Sequence, residues 1–449
     1  MGRLDIMPQS IFTEKDESIY KETSSDPLGM RVIWTFFGQK VFEQRLTTVA
    51  TDIRNYTINL MNYAVLFDLD GEIEHYAITN GKKKEDVTLG ILIMLEDILS
   101  FSLIEANEAA QPVIDMTGIL GRWKGANRFN KEHQNPLIQI NKNAGILKRQ
   151  IGLGVNGRYK GPFINMGLIN TDYNFRKLLQ KWTEIKQTLS TWEEMKCLID
   201  KYTTWIKAFI STKETLRTTN TMPSIFFKEV PSEIKASLVA CFKDQQQLPK
   251  SIKEFWIDQL GFGQGASQAI YQAINLKDFN YQTAILQSKK ALHDPKEITK
   301  IENISQIEPF LSNLQYAFDW VNYKKINQLD DQRLLSIAAE ILNRGLTISP
   351  LLLYKIPRLR QLHTIIKEAS PDTFWRRLLA YHTSVMKDRG AGPWLTIEHK
   401  KIRHYNSGNR PSILLKEYDF DDPPWQHSYY LYSVLNLKKG LTSPISSES

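Results

Sequence analysis

Residues Val87 to Ile104 read VTLGILIMLEDILSFSLI, the most apolar run of the chain, and the fold turns on where that run belongs. By length it is able to cross a bilayer. Glu96 and Asp97 fall near its middle, where an ionised side chain costs about 2.5–3.5 kcal/mol even on the most lenient scales. The run therefore reads as the core helix of a protein without a membrane span, covering about residues 86–107. Upstream, Met30–Phe42 and Leu46–Phe67 are apolar segments of helical length, although their Val, Ile, Thr and Tyr content also suits strands. Residues 71–84, ending in three lysines, read as a turn region.

The helical pattern resumes at Thr171. Leu178, Leu179, Trp182, Ile185 and Leu189 recur at helical spacing, and Thr191 with Glu194 has the form of a capping box opening a helix over Trp192–Ile210. Further amphipathic segments fall at 232–243, 249–260, 265–275, 306–324, 330–344 and 351–368, with no recurring signature of fixed period. Pro371–Arg389 is a helix stopped by Gly390. Trp394–Glu398, Ile402–Tyr405 and Ser412–Tyr418 are three strand-like runs, followed by a helical Gln426–Leu437. The expected fold class is mainly α, with multi-helix domains and a small β-hairpin or three-strand element near the C-terminus. The expected organisation is a polar arm at 1–29, a helical domain at 30–117, a basic Gly-rich connecting region at 118–169 and a second helical domain at 170–368. A helix-plus-hairpin module at 371–440 and a disordered Ser-rich tail at 441–449 complete it.

A 42% hydrophobic and 24% charged composition excludes a mainly disordered or fibrous chain. Only two cysteines, Cys197 and Cys241, are present, so there is no disulfide framework and no paired-Cys metal spacing. The N-terminus MGRLDIMPQSIFTEKDESIYK has no apolar core after its basic residue, and Ile6 stands where a myristoylation signal wants Ser or Thr. A cytoplasmic location is the expectation.

Charge is distributed unevenly. Between Gly118 and Leu168 stand nine Lys or Arg against the single acid Glu132, a surplus equal to the net charge of +8 on the whole chain. Nine of the 23 glycines lie in the same span, with Trp123, Phe129, Tyr159 and Phe163 among the cations. Cations interleaved with aromatic rings and pliable backbone suit phosphates and unstacked bases. The expected nucleic-acid contacts are Arg122, Trp123, Lys124, Arg128, Lys148, Arg149, Arg158, Tyr159 and Lys160, joined by Arg376 and Arg377 on the later helix. A solvated loop whose charge serves solubility, and a protein-binding surface, are the competing readings.

Three motifs bear on chemistry. Gly152, Gly154 and Gly157 spell GxGxxG, yet no strand precedes them and Gly161-Pro162 opposes a following helix, so the span reads as loop and not as a dinucleotide fingerprint. Ala64-Val65-Leu66-Phe67-Asp68-Leu69-Asp70-Gly71 is similar to the first motif of the haloacid dehalogenase phosphatases, departing from it at Glu72. The resemblance implies Asp68 as nucleophile, Asp70 as acid and base, and magnesium. Asp388 with Glu398-His399-Lys400 resembles the PD-(D/E)xK nucleases, which implies two carboxylates on Mg²⁺ and Lys400 orienting water. Without catalysis, helix 357–368, helix 371–389 and the hairpin follow the order of a winged helix. The eight histidines show no metal-ligand spacing, and no metal site is expected outside the nuclease alternative.

Taken together, these features imply a non-catalytic subunit or adaptor that binds DNA or RNA through backbone phosphates and works with other protein subunits. A multi-gene prokaryotic system for antiviral defence or DNA processing would suit it. A metal-dependent nuclease using Asp388, Glu398 and Lys400, and a protein scaffold without nucleic acid, are the alternatives. Oligomeric state and protein partners are left open.

Overall fold

A computed structural model describes residues 26–109, 114–214, 223–346, 348–405 and 413–442; most of the expected tail, from 443 on, and most of the expected arm lie outside the described residues. Helices α1 (Arg31–Val41), α2 (Ile53–Asp68), α3 (Asp70–Thr79), α4 (Lys84–Ala109) and α5 (Arg122–Lys131) come first. Strand β1 (Leu137–Gln139) precedes α6 (Gln150–Leu153), α7 (Val155–Asn165), α8 (Leu179–Ser190) and α9 (Glu193–Glu214). Strand β2 (Ser224–Phe226), α10 (Ser232–Phe242), α11 (Lys250–Gln259), α12 (Gly265–Ala273) and α13 (Tyr281–Lys290) follow. After them run α14 (Pro295–Lys324), α15 (Gln332–Arg344), α16 (Pro350–Lys355), α17 (Pro357–Glu368) and α18 (Pro371–Asp388). The hairpin β3 (Leu395–Glu398) and β4 (Lys401–His404) and helix α19 (Leu431–Leu441) end the described chain. The protein is mainly α-helical, with two small antiparallel sheets among the described residues.

Packing groups the described residues into two compact units, 43–263 with 432–442 and 26–42 with 264–431. The first unit is built on α2 and α4. Every residue of α2 from Ile53 to Leu66 is buried, and α4 is buried from Val87 to Ile104 apart from Leu89. A helix enclosed on all sides is the centre of its layer. Asp52 caps α2 by accepting the Arg54 N–H at 2.8 Å. The apolar run is thus a core helix, with 94% of its most hydrophobic window buried.

The second unit has its own centre, α14, opened by Asp294 and Pro295 and buried at most positions from Ile301 to Asn322. Its polar hub is Glu308. That carboxylate accepts from Trp34 Nε1 and Tyr429 Oη at 2.6 Å each, Gln426 N at 2.6 Å, Ser312 Oγ at 3.0 Å and His427 N at 3.1 Å. Asp26–Gly29 is buried and not part of a polar arm. Asp26 pairs with Arg389 at 2.8 Å, and the Pro27 and Leu28 carbonyls bond to His382 and Tyr381.

Local expectations change in several places. Of residues 71–84, expected as a turn region, 71–79 belong to helix α3 and only 80–83 form the turn before α4. Thr191 closes α8, its hydroxyl donating to the Thr188 carbonyl at 2.7 Å, instead of opening the next helix. The segment 351–368 is two helices, because Ile356 precedes Pro357 and cannot keep the α conformation. The third strand-like run is a short 3-10 turn at Leu415–Glu417. What borders the hairpin instead is Ile326–Gln328, with Ile402 N donating to the Asn327 carbonyl at 2.8 Å.

Candidate nucleic-acid interface

The basic span belongs to the first unit, and it is folded. It holds α5, β1, α6 and α7; β1 pairs with β2 in the register Leu137↔Phe226, Ile138↔Ile225 and Gln139↔Ser224. Pro162 sits inside α7, costing one backbone hydrogen bond, and burial of Val155, Tyr159 and Phe163 offsets it.

Two buried groups fix where the span runs. At its start, Arg54 is fully buried and paired with Asp52 at 2.6 Å, while its remaining N–H groups reach the carbonyls of Asp115 at 2.6 Å and Thr117 at 3.2 Å. Asn55 holds the Gly118 carbonyl at 2.9 Å and receives Leu120 N at 3.3 Å. Further along, the acids of α4 take over. Glu96 accepts Asn156 N at 2.6 Å and Gln150 Nε2 at 2.9 Å; Asp97 accepts the same amide at 3.0 Å and Ile146 N at 3.2 Å. Burial pushes the Glu96 carboxyl up to about 7 and that of Asp97 up to about 6. A Cβ on Gly154 would collide with Glu96 Oε2, so this glycine of GxGxxG makes room for a carboxylate, whose charge would repel a pyrophosphate.

The cations then divide. Arg128 turns inward, 3.7 Å from Asp97 and 3.0 Å from Glu132. Lys142 pairs with Asp86 at 2.7 Å. Lys160 donates to the Thr171 carbonyl at 3.0 Å and lies 4.2 Å over the Tyr173 ring, and burial lowers its pKa. Tyr159 is not a stacking platform: it is 0% exposed, edge-on to Tyr56, with its hydroxyl on the Val49 carbonyl. Phe129 and Phe163 are buried as well. Helical periodicity along 155–163 is the sequence signal that separates these core aromatics from surface ones.

Facing outward are Arg122 and Arg158, half-buried, and Lys124, Lys131, Lys148 and Arg149, exposed. Trp123 is 73% exposed, with the Arg122 guanidinium 4.5 Å over its ring. Gly125 brings two of these stretches together. A Cβ there would meet Ile104 Cδ1 at 3.0 Å and Ile146 Cδ1 at 3.6 Å, so α5 lies against the turn that carries Lys148 and Arg149. The contact is that of Gly125 with Ile146, at the start of the 146–149 turn.

Arg376 and Arg377 belong to the second unit, exposed on α18, with Arg377 paired to Glu368 at 3.0 Å. The helix, helix and hairpin order of a winged helix is present there. Each acid of the nuclease-like pattern has a cationic partner of its own. Asp388 pairs with Arg358 at 3.0 Å, and Glu398 accepts from Tyr405 Oη at 2.9 Å and Arg403 at 3.3 Å. His399 and Lys400 form the hairpin turn with φ of 48° and 67°, so Lys400 leaves the strand and does not share a face with Glu398. Among the described residues no three His, Cys, Asp or Glu stand together as metal ligands. The phosphatase-like motif is likewise displaced: Ala64–Asp68 is the end of helix α2 where that family needs a strand, and Asp68 and Asp70 are bound to Lys186 and Lys84 at 2.6 Å.

Comparison with protein-family models, curated proteins and solved structures finds no match to this chain.

Proposed function

We propose that the first unit binds DNA or RNA through backbone phosphates, without catalysis, on the face formed by α5 and the 146–149 turn, and that the protein serves as a binding subunit alongside protein partners. The observation that carries this reading is Trp123, held in solvent at 73% exposure with Arg122 across its ring. A large aromatic left outside a core that encloses Tyr159, Phe129 and Phe163 forgoes about 2 kcal/mol of burial, and stacking on a base would recover about 1–3 kcal/mol. Lys124 on the same helix, and Lys148 and Arg149 on the turn that begins at Ile146, are exposed and would supply the phosphate contacts.

The test is fluorescence anisotropy with labelled duplex DNA, single-stranded DNA and single-stranded RNA between about 50 and 200 mM salt. Replacing Arg122, Lys124 and Lys148 together by Ala should flatten the slope of log K against log salt by about 0.9 for each duplex phosphate that is no longer neutralised. Trp123→Ala should weaken single-strand binding by about 1–3 kcal/mol and affect duplex less. No binding at the lowest salt, or unchanged binding by the triple variant, overturns the reading.

A further inference from the structure

The carboxylates of Glu96 and Asp97 are only 4% and 1% exposed, and every hydrogen bond they accept from the basic span comes from residues 146–156. Gln150 is the pin. Its single amide nitrogen is shared by both acids, at 2.9 and 3.0 Å, while its oxygen accepts Leu147 N at 3.1 Å. Lys148 and Arg149 lie between the anchored residues Leu147 and Gln150, so their placement depends on these bonds.

The charges facing the pair do not balance it. From α5 come Arg128, 3.7 Å from Asp97, and Glu132, which takes the same guanidinium at 3.0 Å. From α2 comes Tyr63 and from the loop after α7 comes Tyr173, both neutral hydroxyls bound to Asn156 and both held protonated by burial. The two buried acids therefore depend on one cation, Arg128, which the partly exposed Glu132 also takes. Two ionised carboxylates cannot both be held there at low cost, and one proton taken from solvent and kept on the pair removes the excess.

We propose that Glu96 and Asp97 form a proton-operated latch on the basic segment 146–156, closed when the pair holds a proton and loosened when it gives that proton up, so that protonation sets how firmly Lys148 and Arg149 are presented to a polyanion. The link to the polyanion rests on the function proposed above; the latch does not. Both carboxyls titrate higher in the closed segment than in water, so the closed form is favoured fully below the ordinary carboxylate range and loses that advantage as pH rises through about 6 to 7. With Glu96 shifted from 4.5 to about 7, the opening equilibrium should rise roughly tenfold between pH 6 and pH 8 from that residue alone. The loss of one buried negative charge on protonation also favours phosphate binding at the lower pH, in the same direction.

The experiment is amide hydrogen exchange of the intact protein across that pH range, corrected for the intrinsic base-catalysed rate. Residues 146–156 should open about tenfold more at the higher pH. The helices of the second unit should show no such change. Glu96→Gln, which keeps the acceptor for Asn156 N and cannot ionise, should flatten the profile, and Asp97→Asn should reduce it. A wild-type profile that is flat after correction overturns the latch, as does a rise that survives in Glu96→Gln; the wild-type series needs no variant to fold. Labelled duplex DNA is titrated in parallel. Tighter binding at pH 6 in wild type, lost in Glu96→Gln, ties the latch to presentation of the cations. A rise in exchange with no DNA binding at any pH upholds the latch and removes the nucleic-acid reading.

Discussion

Asp52→Asn is the most informative single change in the first unit. The Arg54 guanidinium is fully buried and donates to Asp52 at 2.6 and 3.0 Å and to the carbonyls of Asp115, Phe242 and Thr117 at 2.6, 3.0 and 3.2 Å. Five bonds use the head group fully, yet only Asp52 supplies an opposite charge at contact. Asparagine preserves an acceptor for the Arg54 N–H, so the helix cap survives and the lost quantity is charge. An unpaired buried cation costs about 3–5 kcal/mol, a large share of the roughly 5–15 kcal/mol that holds a domain together. Arg54→Met removes the other partner. Burial already pushes the Asp52 carboxyl up, so this variant escapes part of the cost by taking a proton, and its loss should be smaller in acid and grow as pH rises through the raised value. The double variant removes both charges and should cost less than the two single losses added together. Urea unfolding, with hydrogen exchange assigning the transition to residues 43–263, reads all three. A loss below about 1 kcal/mol for Asp52→Asn, or strict additivity in the double variant, refutes the argument that this pair is a buried ion clamp.

Acid should act on the second unit in the sense opposite to its effect on residues 146–156. His382 donates Nδ1–H to the Pro27 carbonyl at 2.8 Å and accepts Trp394 N on Nε2 at 2.9 Å, so it is held neutral, and burial lowers its pKa; burial brings His427 down to about 4. Both pKa values are depressed, so the stability they confer is complete above about 6.5 and is lost as pH falls from there toward 4. Exchange at 371–404 should therefore quicken, after correction for intrinsic rate, on going from neutral pH to about 5; unchanged protection would show that these histidines are not held neutral. At the hairpin, His399→Asn with Lys400→Gly should stabilise the second unit by about 1 kcal/mol, because both turn residues have positive φ; a loss of stability by thermal unfolding would mean that the native side chains make contacts worth more than the strain.

The helical class and the core position of Val87–Ile104 were legible in the sequence because both rest on local quantities: period, cap and the cost of two acids in an apolar run. Element boundaries were harder to read. Residues 71–79 and 155–165 carry glycine and proline that locally oppose helix, and they are helical because burial of Ile73, Tyr76, Tyr159 and Phe163 outweighs propensity. The split of 351–368 was legible at Pro357, whose effect on the preceding residue is strictly local.

By itself the sequence determined that cations crowd one glycine-rich span and that two acids interrupt the apolar run of a helix. Only tertiary structure decided which cations remain outward, since Lys142 is spent on Asp86, 56 residues away, and Arg128 on Asp97 and Glu132. Counting charge along a chain treats every lysine alike. Folding does not, because Coulomb energy and desolvation depend on distances that form when α4 and the span come together.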